Sequence, residues 1–99
     1  MKDQEEIKNL SSLEKLEYAF PDIEMTIADG FDDCVLGICP STERVIYSYD
    51  KCLKVLMSRD GLTVYEAIEF MDFNVVGSYV GEKTPILLWP KTMKEIEDD

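Results

Sequence analysis

The segment 44–89 constrains the fold most, because a boundary signal stands at nearly every junction between its expected elements. The order is a strand, a helix, a tight turn, a second helix, a loop with two glycines and a last strand. Thr63 and Glu66 form a capping box, which marks the start of the second helix. Gly61 is placed to end the first helix in left-handed geometry. This order predicts a helical pair that returns the chain to a sheet.

The two helices are expected to bury one face each. Asp50 is expected to cap the first helix, over residues 51–59, and the second helix is expected to run from Thr63 to Asn74. The expected buried positions are Leu53, Leu56 and Met57 in the first helix and Ala67, Ile68, Met71 and Val75 in the second.

The N-terminal half predicts a helix followed by strands. Residues 3–19 read as helical, but Ser11 or Ser12 can instead cap a shorter helix and leave residues 1–10 frayed. Apolar residues then alternate with polar ones, which predicts a half-buried strand over Ile23, Met25 and Ile27. Residues 34–39 and 44–48 predict a β-hairpin with a loop of four or five residues. Gly37 indicates a bulge or the close approach of a neighbour.

Together these elements predict one domain, residues 1–99, of the α+β class. We expect a small, mainly antiparallel sheet of three to four strands, covered by the helical pair and preceded by an N-terminal helix. The last strand is expected at residues 86–89, opened by Pro85. The acidic tail 95–99 is expected to be disordered.

Composition predicts a soluble, cytoplasmic protein. No apolar run approaches the roughly 18 to 20 residues of a membrane span, and the N-terminus is charged where a signal peptide is apolar. The three cysteines, an odd number, fit a reducing compartment. The sequence does not indicate an oligomeric state.

The charge is strongly acidic, with 21 acidic and 10 basic residues and a net charge of −11. Direct nucleic-acid binding is disfavoured, because lysine and arginine supply most of that affinity. No basic residue lies between Lys15 and Arg44, whereas Asp22, Glu24, Asp29, Asp32 and Asp33 all lie there. These carboxylates can steer a basic partner, or they can serve only as a solubilising surface.

No group of residues indicates catalysis, a metal or a cofactor. Histidine is absent, which removes the commonest general base and metal ligand. The three cysteines (Cys34, Cys39 and Cys52) lack zinc spacing and are interpreted as buried thiols. The pair Asp32 and Asp33 resembles half of a magnesium site, but a turn or the start of a strand is favoured. The set Glu66, Glu69 and Asp72 is interpreted as an exposed helix face, although paired carboxylates in a pocket can perform acid–base chemistry.

The loop 77–85 lacks the features of a phosphate-binding loop, yet it places Tyr79, Lys83 and Thr84 on a constrained connection where function tends to concentrate. Aromatic residues are also numerous for so small a core. They are Tyr47, Tyr49, Tyr65, Phe70, Phe73 and Trp89. Ordinary core packing and an exposed interaction patch both remain open for them.

The chain resembles a widespread family of small proteins from tailed-phage and prophage genomes, for which no activity is established. The residues that carry the resemblance run in order through about residues 30–89. They are Gly30-Phe31-Asp32-Asp33, Leu36-Gly37, the run from Tyr47 to Cys52, Asp60-Gly61, Glu66-Ala67, Glu69-Phe70, Phe73-Asn74, Gly77, Tyr79-Val80-Gly81-Glu82 and Thr84-Pro85. The resemblance implies a phage-type origin, hence the host cytoplasm, and an α+β fold.

These observations predict a non-catalytic accessory protein that binds and modulates a host or phage protein. The expected contact residues are Tyr79, Lys83, Asp22, Glu24, Asp29, Asp32 and Asp33. One version is mimicry of nucleic acid, in which carboxylates stand in for phosphates and occupy the basic groove of a nucleic-acid-binding enzyme. The alternative is a small-ligand-binding protein that uses the Gly77–Pro85 loop, and an enzyme is the third possibility.

Overall fold

The α+β class is confirmed by a computed structural model, which describes residues 4–76 and 81–89. That part of the chain contains four α-helices and a three-stranded sheet. In chain order the elements are α1 (Gln4–Lys8), α2 (Ser12–Ala19), a 3-10 turn (Asp32–Cys34), β1 (Val35–Ile38), β2 (Val45–Ser48), α3 (Tyr49–Asp60), α4 (Val64–Met71), a π-helix (Asp72–Val76) and β3 (Ile86–Leu88). The expected N-terminal helix and helical pair are therefore present.

The hairpin β1–β2 forms the antiparallel part of the sheet, as predicted. Val35 pairs with Tyr47 and Ile38 with Val45, and the register shifts between Val35 and Gly37. A Cβ at Gly37 would meet no described atom within 4 Å, so this glycine marks a bulge and no close approach. The Cys39 N–H donates to the Arg44 carbonyl at 2.9 Å and closes a loop of the expected length.

β2 is the central strand, because β3 pairs with it on the other side in parallel, from Ile46 opposite Ile86 to Ser48 opposite Leu88. A parallel pair needs a long crossover between its strands. The α3–α4 pair and the π-helix lie within that connection, and α3 and α4 pack against each other. The helical pair therefore returns the chain to the sheet as expected.

The helix boundaries follow local capping chemistry. Ser11 and Glu14 form a capping box at α2, which confirms the shorter helix, whereas residues 4–8, expected to be frayed in that alternative, form α1. Thr63 and Glu66 form the predicted box at α4. Gly61 ends α3 with φ 69°, also as predicted.

The prediction that Asp50 caps α3 is wrong. The Ser48 hydroxyl accepts the Lys51 N–H at 3.2 Å, so the helix begins two residues earlier than predicted. Asp50 lies in the first turn and pairs with Lys54 at 3.1 Å. Ser48 is the N-cap because β2 ends there in extended geometry, which is the conformation that an N-cap residue adopts.

The strand predicted over Ile23, Met25 and Ile27 is wrong. Residues 21–23 form a turn and a bend, and residues 24–28 have no regular secondary structure and join no strand ladder. The alternation also breaks: Ile27 is 42% exposed, and Ala28 packs against the core in its place. Two side chains hold the segment in place of a ladder: the Tyr47 hydroxyl accepts the Ala28 N–H, and Lys83 Nζ donates to the Glu24 carbonyl.

The core lies between the sheet and the helical pair. Its fully buried members include Val45, Tyr47, Leu56 and Met71. The predicted inner face of the second helix is confirmed, with Ala67 and Met71 buried and Ile68 and Val75 packed against them. In α3, Leu53 and Leu56 are buried as expected, but Met57 is 41% exposed and Cys52 takes the inward position.

Candidate functional site

An apolar cleft of about 310 Å³ lies between the segment that precedes the 3-10 turn and the C-terminal end of α4 with the π-helix that follows it. Its apolar lining comes from Ile27, Ala28 and Phe31 on one side and from Phe70, Val75 and Pro85 on the other. Two polar residues, Asp29 and Asn74, also line it. The cleft therefore combines an apolar lining with a carboxylate.

Tyr47 positions the first wall of the cleft. Its hydroxyl accepts the Ala28 N–H at 2.8 Å, from a ring that is fully buried in the sheet. This bond turns Ala28 inward and leaves Ile27 partly exposed at the cleft. This contact could not be predicted from the sequence, because no local pattern connects Ala28 with a tyrosine 19 positions away.

Arg59 holds Gly30 and Phe31, which continue the same wall of the cleft. Its guanidinium donates to the Gly30 carbonyl at 2.7 Å and lies 5.6 Å from the centroid of the Phe31 ring. Two further bonds of 3.0 Å join it to the Asp60 carboxylate. Those bonds raise the pKa of Arg59 and lower the pKa of Asp60. Gly30 has φ 89°, and a Cβ there would lie 3.1 Å from Arg59 Nη1, so glycine is required for this contact.

The five expected steering carboxylates are all exposed: Asp22, Glu24, Asp29, Asp32 and Asp33. Asp29 lines the cleft itself. Asp32 and Asp33 lie in the 3-10 turn that leads into β1, which confirms the interpretation as a turn and the start of a strand. Within residues 4–76 and 81–89, no three Cys, Asp or Glu side chains come together as a metal site.

Lys83 is bound within the chain. Its Nζ donates to the Glu24 carbonyl at 3.1 Å and lies 3.4 Å from the Glu43 carboxylate. Arg44 also donates to the Thr84 carbonyl, and the Thr84 hydroxyl donates to the Gly81 carbonyl at 2.7 Å. These contacts tie residues 81–85 to the acidic segment and to the hairpin. Tyr79, like residues 95–99, lies outside the described residues.

The cysteines divide into two environments. Cys34 and Cys52 are buried next to each other, and burial raises the pKa of both thiols, that of Cys52 to about 12. The interpretation as buried thiols is correct for these two and wrong for Cys39. Cys39 is half-buried at the hairpin loop, with Sγ 3.5 Å from the Ser41 hydroxyl. Hydrogen bonds from Ser41 and then Thr42 lower its pKa to about 6.

The carboxylates of the second helix are exposed, as interpreted from the sequence. Glu66 accepts the Thr63 N–H at 2.9 Å, and this bond lowers its pKa. Glu69 and Asp72 lie on the outer side of the helix.

The aromatic residues separate into core and surface. Tyr47 is buried, whereas Tyr65 is 81% exposed, Phe73 77% and Trp89 63%. Trp89 stacks on Tyr49 with the ring centroids 5.3 Å apart. Core packing is therefore confirmed for Tyr47, whereas Tyr65, Phe73 and Trp89 are exposed and remain candidates for an interaction patch.

No protein-family model, curated protein or solved structure matches the chain. No helix in the described part of the chain is long and apolar enough to cross a membrane.

Proposed function

We propose that the protein is a non-catalytic accessory protein that binds a basic protein partner through the cleft. One observation carries the proposal: the segment that forms one wall of the apolar cleft also bears the exposed carboxylates. Buried apolar area slows the dissociation of a complex, and the negative charges around it attract a basic surface. Residues 22–33 provide both.

The arrangement does not favour an enzyme. General acid–base catalysis usually needs a carboxyl group whose pKa is shifted by enclosure in a pocket. Asp32, Asp33, Glu66 and Glu69 are exposed, and Glu66 is engaged in a helix cap. The chain has no histidine that could act instead.

The resemblance to tailed-phage and prophage proteins supports a host or phage protein as the partner and the host cytoplasm as the compartment. Nucleic-acid mimicry is a special case of the proposal. In that case the partner is a basic nucleic-acid-binding enzyme, and the carboxylates of residues 22–33 occupy its phosphate-binding groove. DNA or RNA must then compete with this protein for the partner.

The test compares two variants that each lose five negative charges. The first replaces Asp22, Glu24, Asp29, Asp32 and Asp33 by their amides, and the control does the same to Glu5, Glu95, Glu97, Asp98 and Asp99. Steering charges act mainly on the association rate. With a partner captured from infected-cell lysate, the first variant should associate more slowly and with a weaker dependence on salt than the control.

The anchor is tested by the dissociation rate. Ile27→Ala in the cleft and Tyr79→Ala in the loop are expected to shorten the lifetime of the complex, because apolar anchors act mainly on dissociation. Equal association rates for the two charge variants would contradict the steering role. Turnover of a substrate by the purified protein would contradict the whole proposal.

A small-ligand-binding role is the second candidate. The cleft volume of about 310 Å³ lies at the lower end of the range for ligand pockets, and Pro85 of the Gly77–Pro85 loop lines it. A small molecule that raises the melting temperature with concentration, and does so less in Phe70→Ala, would favour this role.

A further inference from the structure

We propose that a second surface, on the outer face of α4 and the π-helix, binds an arginine side chain presented by the protein partner. It consists of Tyr65, Glu69 and Phe73 and is called the aromatic row below. The inference rests on the proposed function for the basic character of the partner. It adds a binding site on a different part of the fold and the side chain that fits it.

The exposure of the two rings is the first observation. Tyr65 and Phe73 are the most exposed large hydrophobic residues in the described part of the chain, at 81% and 77%. The opposite face of the same helix is fully buried at Ala67 and Met71. The rings therefore point outward because packing of the inner face fixes the rotation of the helix. Exposed aromatic residues of this kind are typical anchors of protein interfaces.

Spacing places a carboxylate between the rings. Glu69 is four residues after Tyr65 and four before Phe73, and residues four apart are neighbours on a helix surface. Glu69 and Phe73 also line one shallow groove of about 320 Å³, with Leu62 and Phe70 beside them. The aromatic row therefore presents an anion with an aromatic ring on each side.

The charge of the row selects a cation. Within residues 4–76 and 81–89, no lysine or arginine forms an ion pair with Glu69 or Asp72. Nucleic acid and anionic lipid would be repelled. A second copy of this chain would bring another net charge of −11, which opposes self-association.

Arginine fits better than lysine, because a planar guanidinium can stack on an aromatic ring while it pairs with a carboxylate. The chain contains one such arrangement already. Arg59 lies 5.6 Å from the Phe31 ring centroid and binds the Asp60 carboxylate through two hydrogen bonds. The aromatic row offers the same chemistry with its arginine supplied from outside.

The test uses a synthetic alanine-rich helical peptide with two arginines four residues apart, titrated into the full-length ¹⁵N-labelled protein. Matched peptides carry lysine or glutamate at the same positions. We expect amide shifts at Tyr65, Glu69 and Phe73, tighter binding of the arginine peptide than of the lysine peptide, and no shifts with the glutamate peptide. Equal binding of the arginine and lysine peptides would overturn the arginine assignment.

Variants assign the binding to the row. Tyr65→Ala and Phe73→Ala should each weaken binding at least about fivefold, as expected for interface anchors. Glu69→Gln should weaken it about two- to fivefold, as expected for an exposed ion pair. Tyr18→Ala, which removes an exposed aromatic residue from α2, is the matched control and should leave binding unchanged. All these side chains are exposed, so the melting temperature should confirm that each variant folds.

The outcomes separate this inference from the proposed function. Shifts confined to the cleft, with binding unaffected by Tyr65→Ala, would overturn the aromatic row and support the cleft. Shifts confined to the row, with binding unchanged in the five-carboxylate variant of residues 22–33, would support the row and count against the cleft. No shift at the row at millimolar arginine peptide would overturn the inference, and the association rate of a captured partner then decides the proposed function alone.

Discussion

Tyr47 connects the sheet to the acidic segment through a single hydroxyl group. The ring is fully buried on β2, and its oxygen accepts the Ala28 N–H at 2.8 Å. Burial raises the pKa of Tyr47, so the hydroxyl stays neutral at physiological pH. The segment has no strand partner, and this bond therefore replaces part of the ladder that it lacks.

Tyr47→Phe should lower the free energy of unfolding by about 1–3 kcal/mol, because the Ala28 N–H is left without its acceptor. Chemical denaturation measures the loss, and faster hydrogen exchange at Ala28 localises it. Tyr65→Phe is the control, since that hydroxyl belongs to a ring that is 81% exposed, and it should change little. Equal stabilities for the two variants would show that water satisfies Ala28 in the absence of the hydroxyl.

Cys39 should be the reactive thiol of the folded protein. Its pKa is lowered to about 6 by hydrogen bonds from Ser41 and Thr42, so the thiolate predominates at neutral pH. Cys52 is buried with a pKa raised to about 12 and should stay protected. Alkylation by iodoacetamide, followed by mass spectrometry, should show the rate at Cys39 rising through about pH 6 and levelling above it.

Ser41→Ala should move that rise to higher pH, because the largest cause of the lowered pKa of Cys39 is removed. Alkylation of Cys52 in the folded protein at a rate comparable with Cys39 would contradict the assignment.

At the scale of the elements, the contribution of the N-cap of α4 to the stability of the protein can be measured separately. Thr63→Ala should lower the free energy of unfolding by about 1 kcal/mol, the usual value of a lost N-cap, as judged by the denaturation midpoint. Thr63→Ser keeps the hydroxyl and should retain most of the stability. An unchanged midpoint and slope in Thr63→Ala would show that the cap does not stabilise the helix.

The same cap has a pH dependence with a definite sign. The pKa of Glu66 is lowered in the folded state by the Thr63 N–H. The contribution of this group to stability is therefore present above its unfolded pKa and is lost as pH falls through the folded pKa. Glu66→Gln should reduce stability at neutral pH, and the difference from the parent protein should narrow in acid.

The elements that could be predicted from sequence are those with local signals. The box of Thr63 and Glu66 and the end of α3 at Gly61 each depend on residues within five positions of one another, and the bulge at Gly37 lies in a hairpin whose two strands are joined by a short loop. Ser48 was missed as a cap because Asp50 offers the same chemistry two residues later, and only the end of β2 decides between them.

The wall of the cleft could not be predicted, because long-range contacts determine it. The pattern of Ile23, Met25 and Ile27 has the period of a strand, but the backbone of this segment bonds to the side chains of Tyr47 and Lys83 and joins no strand ladder. Tyr47 then reverses the expected inward and outward positions at Ile27 and Ala28. The carboxylates on this segment were predicted, whereas the apolar cleft beside them was not.

At the scale of the whole molecule, 21 acidic residues stand against 10 basic ones, so ion pairing cannot neutralise every carboxylate. In the described part of the chain, ion pairs join Lys54 to Asp50, Arg59 to Asp60 and Lys83 to Glu43. The side chains of these pairs are between 36% and 73% exposed. Exposed pairs typically contribute about 0–1 kcal/mol each and are weakened by salt. Repulsion among the excess carboxylates is therefore expected to outweigh attraction within the pairs.

Salt should consequently stabilise the folded protein. Raising the ionic strength from about 0.01 M to about 0.15 M shortens the Debye length from about 30 Å to about 8 Å, which screens repulsion across the whole molecule. The melting temperature should therefore rise with sodium chloride. The five-carboxylate variant of residues 22–33 should start from a higher melting temperature at low salt and rise less, because it carries less of the repulsion. A melting temperature that falls with salt in the parent protein would show that the ion pairs of Lys54, Arg59 and Lys83 outweigh the net charge.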